Sequence, residues 1–301
     1  MNLAPICLFT FKRLDTTIET VEALKKNIYA SESELFVFTD APRPHKEGEA
    51  DTVEKVKEYL STITGFKKIH LNPRSNNLGC AKSIITGVTE VMDQFGKAIV
   101  VEDDIVTSTN FLAFMNQCLD KYENNQKIWS ISGYTYAIKY PKNYPYDVYM
   151  VQRGSPWGWA SWKDRWDGVD WKAPDFLEFM KDRKQVKAFH EGGSDLSRMV
   201  YRNLFGDIDG WDPIWIYQQF KNKQHTIYPV VSKVQNIGFT QEATHTKFYN
   251  RFKTVLDQSG KTEFNMPDDP QFEEMIVKSY KDKYSLKRRL TGRLKFYLGI
   301  P

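Results

Sequence analysis

Three consecutive carboxylates, Glu102-Asp103-Asp104, directly follow the apolar run Ala98-Ile99-Val100-Val101. Adjacent carboxylates repel one another, and those nearest a buried strand also lose solvation. A hard divalent cation relieves both costs. Mg²⁺ and Mn²⁺ prefer oxygen ligands and commonly share their shell with water and substrate phosphates, where they neutralise charge developing on a leaving group. The alternative is an acidic cluster at a helix start or a solvated turn, where carboxylates complement the helix dipole. A second acid, Asp40, closes the apolar run ELFVFTD, and two acids at two strand ends favour chemistry over a plain turn.

The elements that would position these acids read from periodicity. Residues 4–11 (APICLFTF) form a buried strand, and LDTTIETVEALKKN then places Leu14, Ile18, Val21 and Leu24 at helical spacing. Thr16 and Glu19 have the spacing of a capping box, which predicts the helix start there. Strands are expected at 34–40, 67–73 and 98–101, and helices at 51–62 and 110–122. A turn, Asn76-Asn77-Leu78-Gly79, opens a further helix with Ile84, Ile85, Val88, Val91 and Met92 on its apolar side. This alternation predicts a largely parallel sheet covered on both faces, with ligands beyond the carboxyl ends of its strands. After residue 129 the pattern loosens. IWSISGY and DVYMVQRG read as strands, and 175–189 and 211–222 as helices. Residues 225–238 read as extended, and SPWGWASWKDRW as a Trp-rich turn leading into a helix. In that helix Trp159, Trp162 and Trp166 share one face and are assigned to the core. No internal repeat or separating linker is visible.

The 301 residues are 41% hydrophobic and 14% aromatic, enough for a sizeable core. Eight tryptophans and sixteen tyrosines suit a protein that handles sugars or bases, and suit a heavy core equally well. A net charge of +4 points away from nucleic acid. Cys7, Cys80 and Cys118 are odd in number and widely spaced, which gives neither a zinc pattern nor a disulfide framework and fits a reducing cytoplasm. The first residues lack the flanks of a signal peptide, and no apolar run is long enough to span a bilayer.

PICLFTFKRLDTTIETVEAL and FVFTDAP resemble the first two strands of GT-A fold glycosyltransferases. VVEDDIVTSTNFLAFM resembles the Glu-Asp-Asp segment of the N-acetylglucosaminyltransferase I family, and GSPWGWASWKDRW and GWDPIWIYQQF resemble its acceptor half. The likeness covers about residues 4–245 and is closer in the first half. It implies an α/β GT-A fold, a Rossmann-like and mostly parallel central sheet flanked by helices with a looser acceptor side. Residues 1–128 would bind the nucleotide-sugar and 129–250 the acceptor, and 251–301 would be a helical extension. It further implies an inverting sugar transfer from a UDP-sugar to a glycan or lipid-linked saccharide, of the kind that builds bacterial surface polysaccharide, with Mn²⁺ or Mg²⁺ as cofactor.

On that resemblance Asp104 would bind the metal, Glu102 the donor ribose, Asp103 the donor sugar or diphosphate, and Asp40 would sit by the base. Arg13, Arg74 and Lys82 could reach the nucleotide, diphosphate or sugar, or lie on the surface. Asp212, in Gly210-Trp211-Asp212-Pro213, resembles the catalytic base. A Trp neighbour would desolvate it, although Pro213 also makes it a natural N-cap, and the family carries a second acid where this chain has Pro213. Asp207, Asp209 and Asp195 are alternative bases. Trp157 and Gly158 could offer a sugar-stacking platform or pack in the core. His245 resembles the late histidine that reaches metal or diphosphate in many such enzymes, and otherwise is an exposed histidine.

Residues 280–299 place Tyr284, Leu286, Leu290 and Leu294 on one helical face among basic residues, the pattern of a peripheral helix on an anionic membrane. A solvated basic helix is the alternative. Two rival functions remain. One is a sugar-nucleotide nucleotidyltransferase, against which the glycine-free TFKRLDTT counts. The other is a non-catalytic carbohydrate- or calcium-binding module.

Overall fold

The computed structural model describes residues 2–238, 252, 254–288 and 290–291. The first half follows the expected alternation: β1 (Ile6–Thr10), α1 (Leu14–Lys25), β2 (Glu34–Thr39), α2 (Glu49–Ser61), β3 (Lys68–Pro73), α3 (Cys80–Phe95) and β4 (Lys97–Glu102). A short β5 (Ile105–Thr107) and α4 (Phe111–Tyr122) follow. The second half carries β6 (Ile128–Ser132), β7 (Val148–Val151), β8 (Trp159–Trp162), α5 (Lys163–Asp167), α6 (Phe176–Phe179) and α7 (Arg183–Phe189). Then come α8 (Leu196–Leu204), α9 (Asp212–Lys221), β9 (His225–Pro229), β10 (Val234–Asn236) and α10 (Glu274–Lys283).

Eight strands form one sheet in the order β3-β2-β1-β4-β8-β6-β9-β7. β1 pairs in parallel with β2 and β4, and β2 with β3. β8 runs antiparallel between β4 and β6, β9 is parallel to β6, and β7 closes the far edge antiparallel. The sheet is therefore mixed and mostly parallel. Alternate residues of each buried strand feed two cores. Ile6, Leu8, Leu35, Val37, Ile99 and Val101 join one, together with residues of α1, α2 and α4. Cys7, Phe9, Phe36, Phe38, Ala98 and Val100 join the other, with α3 and most of the tryptophans.

Several local expectations are corrected. Trp159 and Trp162 lie on strand β8, not on a helix, because this segment supplies the antiparallel partner of β4 (Lys97↔Trp162, Val100↔Trp159). Sheet pairing overrides the helical spacing. Both are buried, but in different cores: Trp159 stacks on Trp211 at 4.7 Å, while the Trp162 indole donates to the Leu119 carbonyl at 3.3 Å. α1 begins at Leu14 rather than at a Thr16 capping box, and the Thr16 and Thr17 hydroxyls donate to the Arg13 carbonyl instead of accepting. The stretch 175–189 breaks in two at Asp182, whose carboxylate accepts the Lys184 and Gln185 amides and so caps α7.

Residues 254–270 run back across α4 without regular structure. Tyr122 donates to the Pro267 carbonyl at 3.0 Å, and a buried Lys233–Asp257 ion pair ties this strap down. α10 then docks Tyr280 against Tyr228, hydroxyl to hydroxyl at 3.0 Å. Tyr284 is buried whereas Leu286 and Leu290 are exposed; Leu294 and the rest of the tail face expected from the sequence lie outside the described residues.

Candidate active site

The carboxyl ends of β1 and β4 place two chain segments side by side. Glu102 is the last residue of β4 and aligns with Phe9 of β1. Asp103 and Asp104 occupy the turn into β5, which pairs antiparallel with β10 (Ile105↔Asn236). That ribbon fixes the turn, because the Ile237 amide donates to the Asp104 carbonyl at 2.9 Å. Gly238 comes so close that an added Cβ would lie 2.9 Å from Asp104 Cγ and 3.0 Å from Arg13 Nη1. A side chain there would push against the acid. Sequence reading passed over Gly238; its signal was a glycine ending a long extended run.

Arg13 stands at the start of α1 and pairs with both Asp103 and Asp104, at 3.0 Å from Asp104 Oδ2. The Phe11 amide donates to Asp103 at 3.4 Å. One guanidinium thus faces three acids. Burial pushes the Glu102 carboxyl well above the usual range, and the charges of Asp104, Asp103 and Asp212 add to this, with Arg13 opposing. Burial also raises Asp103, and Arg13 partly offsets it. These anions are held together without full compensation, a condition that marks functional carboxylates.

Asp212 comes from the second half of the chain, as the first residue of α9, with Trp211 rather than Asp212 at the cap position. The side-chain capping role open to it in the sequence is not used. Burial pushes its carboxyl up to about 6, while Arg153 and its own backbone amide pull it down. Its charge is felt at Glu102, and both are felt at the Cys80 thiol. The structure therefore brings Arg13, Glu102, Asp103, Asp104 and Asp212 to one end of the sheet.

The remaining candidates divide. Asp40 is buried, and its carboxylate accepts the amides of Ala41 (3.0 Å), Leu78 (2.9 Å) and Gly79 (3.0 Å), holding the 76–79 turn. Asp209 accepts the Cys80 and Ala81 amides at 2.7 and 3.1 Å, so it caps α3 from 129 residues away in sequence. Gly79 has φ +77° and no room for a Cβ beside Asp209. Asp207 pairs with Arg202 at 3.5 Å, and Asp195 with Arg153 at 2.8 Å. Arg74 pairs with Glu90 at 2.9 Å and lies over the Phe38 ring. Lys82 is exposed on the first turn of α3. Trp157 packs edge-on against Tyr134 (4.7 Å) and Phe252 (5.4 Å), and the Gly158 carbonyl accepts the Gly133 amide. His245 lies outside the described residues.

Among the described residues no three His, Cys, Asp or Glu side chains form a cluster able to hold a metal. The donors at the acid turn are carboxylate oxygens under mutual repulsion. They fit Mg²⁺ or Mn²⁺, which takes one or two carboxylates and completes its shell from water and substrate phosphate, rather than a protein-only cage.

The chain matches no protein-family model and no curated protein. Among solved structures it is similar to the crystal structure of GalNAc-T7 with UDP, GalNAc and Mn²⁺, at 11% identity and a TM-score of 0.49, over 76% of this chain and 43% of that one. It is also similar to S. aureus TarS, at 9% identity and TM-score 0.42, over 76% of this chain and 36% of that one. For TarS 1–349 the figures are 9% identity and TM-score 0.41, over 78% of this chain and 60% of that one. The match thus spans less than two thirds of each of those chains. The fold class, a mixed α/β sheet with an acid-rich site at the carboxyl ends of its strands, rests on the strand order and side chains described above.

Proposed function

We propose that this chain is a metal-dependent, inverting glycosyltransferase of the GT-A type. It would move a hexosyl or N-acetylhexosaminyl group from a UDP-sugar to a glycan or lipid-linked saccharide in surface polysaccharide synthesis. The observation that carries the reading is the acid turn at the end of β4, where the Arg13 guanidinium pairs with Asp103 and Asp104, and where the charge of Asp212, at the start of α9, reaches Glu102. UDP and Mn²⁺ in the GalNAc-T7 crystal structure are in keeping with it.

Asp104 would hold Mn²⁺ or Mg²⁺, which when bound supplies charge neutralisation at the donor diphosphate. Arg13 keeps Asp103 and Asp104 in place and adds a positive charge on the same side. Asp212 accepts the proton of the acceptor hydroxyl as its oxygen bonds to the anomeric carbon. The bond from that carbon to the diphosphate breaks, and the nucleoside diphosphate leaves with the electron pair. Trp211, buried in the tryptophan cluster, fixes the backbone from which Asp212 projects. Trp157, half-buried and held edge-on against the buried Tyr134 ring, offers an aromatic face for a sugar. No helix among the described residues is long and apolar enough to cross a membrane. A basic tail with Leu286 and Leu290 exposed suits peripheral contact from the cytoplasmic side with a membrane carrying the acceptor.

A panel of nucleotide-sugars is tested by thermal shift and by release of free nucleotide, with and without Mn²⁺. The correct donor raises the melting temperature only with metal present and releases UDP, and Asp104→Asn abolishes both. Formation of a nucleotide-sugar from sugar phosphate and nucleoside triphosphate would replace this reading with the nucleotidyltransferase one. Silence toward every donor would end it.

A further inference from the structure

The loop that delivers the proposed base is tied to the first half of the chain by one side chain. Residues 205–211 join α8 to α9 and carry a glycine near each end. Gly206 has φ +78° and open space around it, so the loop's own backbone does little to fix its course. Its placement rests on contacts with both neighbours. On the α8 side the Asn203 amide group donates to the Ile208 carbonyl at 3.4 Å and to the Gly210 carbonyl, and the Asp207 amide donates to the Arg202 carbonyl at 2.8 Å. On the other side Asp209 Oδ2 accepts the Cys80 amide at 2.7 Å and Oδ1 accepts the Ala81 amide at 3.1 Å.

Both ends of this tie lead into the candidate site. A Cβ built on Gly210 would lie 3.4 Å from Asp212 Oδ1, so the residue next to Asp209 touches the carboxylate of the base. A Cβ on Gly79 would lie 2.6 Å from Asp209 Oδ2, so the loop and the start of α3 are in direct contact. α3 in turn packs its Gly87 onto the Phe9 ring, where a Cβ would stand 2.7 Å from Cε1. Phe9 is the β1 residue in register with Glu102. A chain of close contacts therefore runs from Glu102 through Phe9, α3 and Asp209 to Asp212. An exposed carboxylate at a helix start is commonly a cap that contributes to stability alone. Here the cap comes from the loop that carries the base.

We propose that Asp209 is a positioning residue: by seating both carboxylate oxygens on the first amides of α3, it sets the distance between Asp212 and the acid turn. With both oxygens engaged it serves the base and does not replace it. The inference deepens the glycosyltransferase reading and rests on Asp212 as its base. Cys80→Pro removes the same contact from the opposite side. Cys80 is the first residue of α3 and follows an extended Gly79 (ψ 173°), a place where proline deletes the amide and keeps the helix.

The test compares Mn²⁺-dependent UDP release by the full chain, well below its melting temperature, in wild type, Asp209→Ala, Asp209→Asn, Cys80→Pro and the double variant Asp209→Ala/Cys80→Pro. The rise in melting temperature given by UDP with Mn²⁺ is measured alongside, and circular dichroism confirms folding. Asp209→Ala and Cys80→Pro should each lower kcat by about 10- to 10²-fold, and the double variant should be no worse than the poorer single one. Asp209→Asn, which keeps one accepting oxygen, should fall between Asp209→Ala and wild type. The UDP-induced shift should stay that of wild type throughout, since the donor side is untouched. Should Asp209→Ala not fold, Asp209→Asn, Cys80→Pro and their double variant decide. A lower melting temperature with unchanged kcat would make Asp209 a plain cap and overturn the proposal. Losses that multiply in the double variant, or a UDP-induced shift that falls with kcat, overturn it too. A wild type that releases no UDP ends the glycosyltransferase reading and this inference with it, whereas active variants beside an active wild type end the inference alone.

Discussion

Two sets of carboxylates crowd the same end of this sheet, and their partners separate them. Asp40, Asp209 and Glu49 are saturated. Asp40 accepts three backbone amides, Asp209 accepts two at the start of α3, and Glu49 takes Arg43 and Lys12. The Arg43 hydrogen bond, with further help from Lys12, holds Glu49 down at about 2 against the cost of burial. Glu102, Asp103 and Asp212 are the reverse: burial dominates each, and the cations nearby do not fully offset it. An acid at a strand end is therefore not a catalytic candidate by position alone. The first set spends its oxygens on holding loops, whereas burial favours the protonated form of the second, which a bound cation would return to the charged form.

Substitutions can break that contrast or sharpen it. Asp104→Asn should have the largest effect on turnover, about 10³-fold or more in nucleotide release with Mn²⁺, since metal stabilisation of the leaving group is worth several kcal/mol. Its melting temperature should not fall, because one of three repelling charges is gone. Asp212→Asn should lower kcat by about 10²- to 10⁴-fold.

The wild-type pH profile should show an acidic limb near the Asp212 value of about 6, with activity falling below it as the base protonates. The stability consequence has the opposite sign to that of an ordinary ion-paired acid. The folded value is above the unfolded one, so the stabilising contribution is present at acid pH and is lost as pH rises toward 6. At pH 7.5 Asp212→Asn should therefore gain about 1–3 kcal/mol in chemical denaturation.

Gly238→Ala should raise the Mn²⁺ concentration needed for half-maximal activity by about tenfold, because its methyl group crowds Asp104. The smallest effect on chemistry should come from Asp40→Asn, which leaves donors facing donors in the 76–79 turn. It should cost about 1–3 kcal/mol of stability and leave residual activity at low temperature. If Asp40→Asn silenced turnover as fully as Asp104→Asn while remaining stable, the division of acids drawn here would be wrong.

The chain alone determined the parallel half. APICLFTF, ELFVFTD and AIVV are apolar runs too continuous to be anything but strands buried on both faces, and the intervening helices carry their apolar residues at helical spacing. It also determined that three acids end one of those strands, because a charge cluster abutting a buried run is a local feature. The partners of those acids are nonlocal, and only the tertiary structure decided them. Asp40 and Asp209 look as available in sequence as Asp104, and only folding delivers the Leu78, Gly79 and Cys80 amides to them. The tryptophan segment at 159–162 kept a helical spacing that lost to the pairing offered by β4. Arg153, in an unremarked strand end, acquired its place from α8 and α10, more than forty and one hundred and twenty residues downstream. Hydrophobic periodicity is written along the chain, whereas the satisfaction of a buried charge depends on which distant groups arrive beside it.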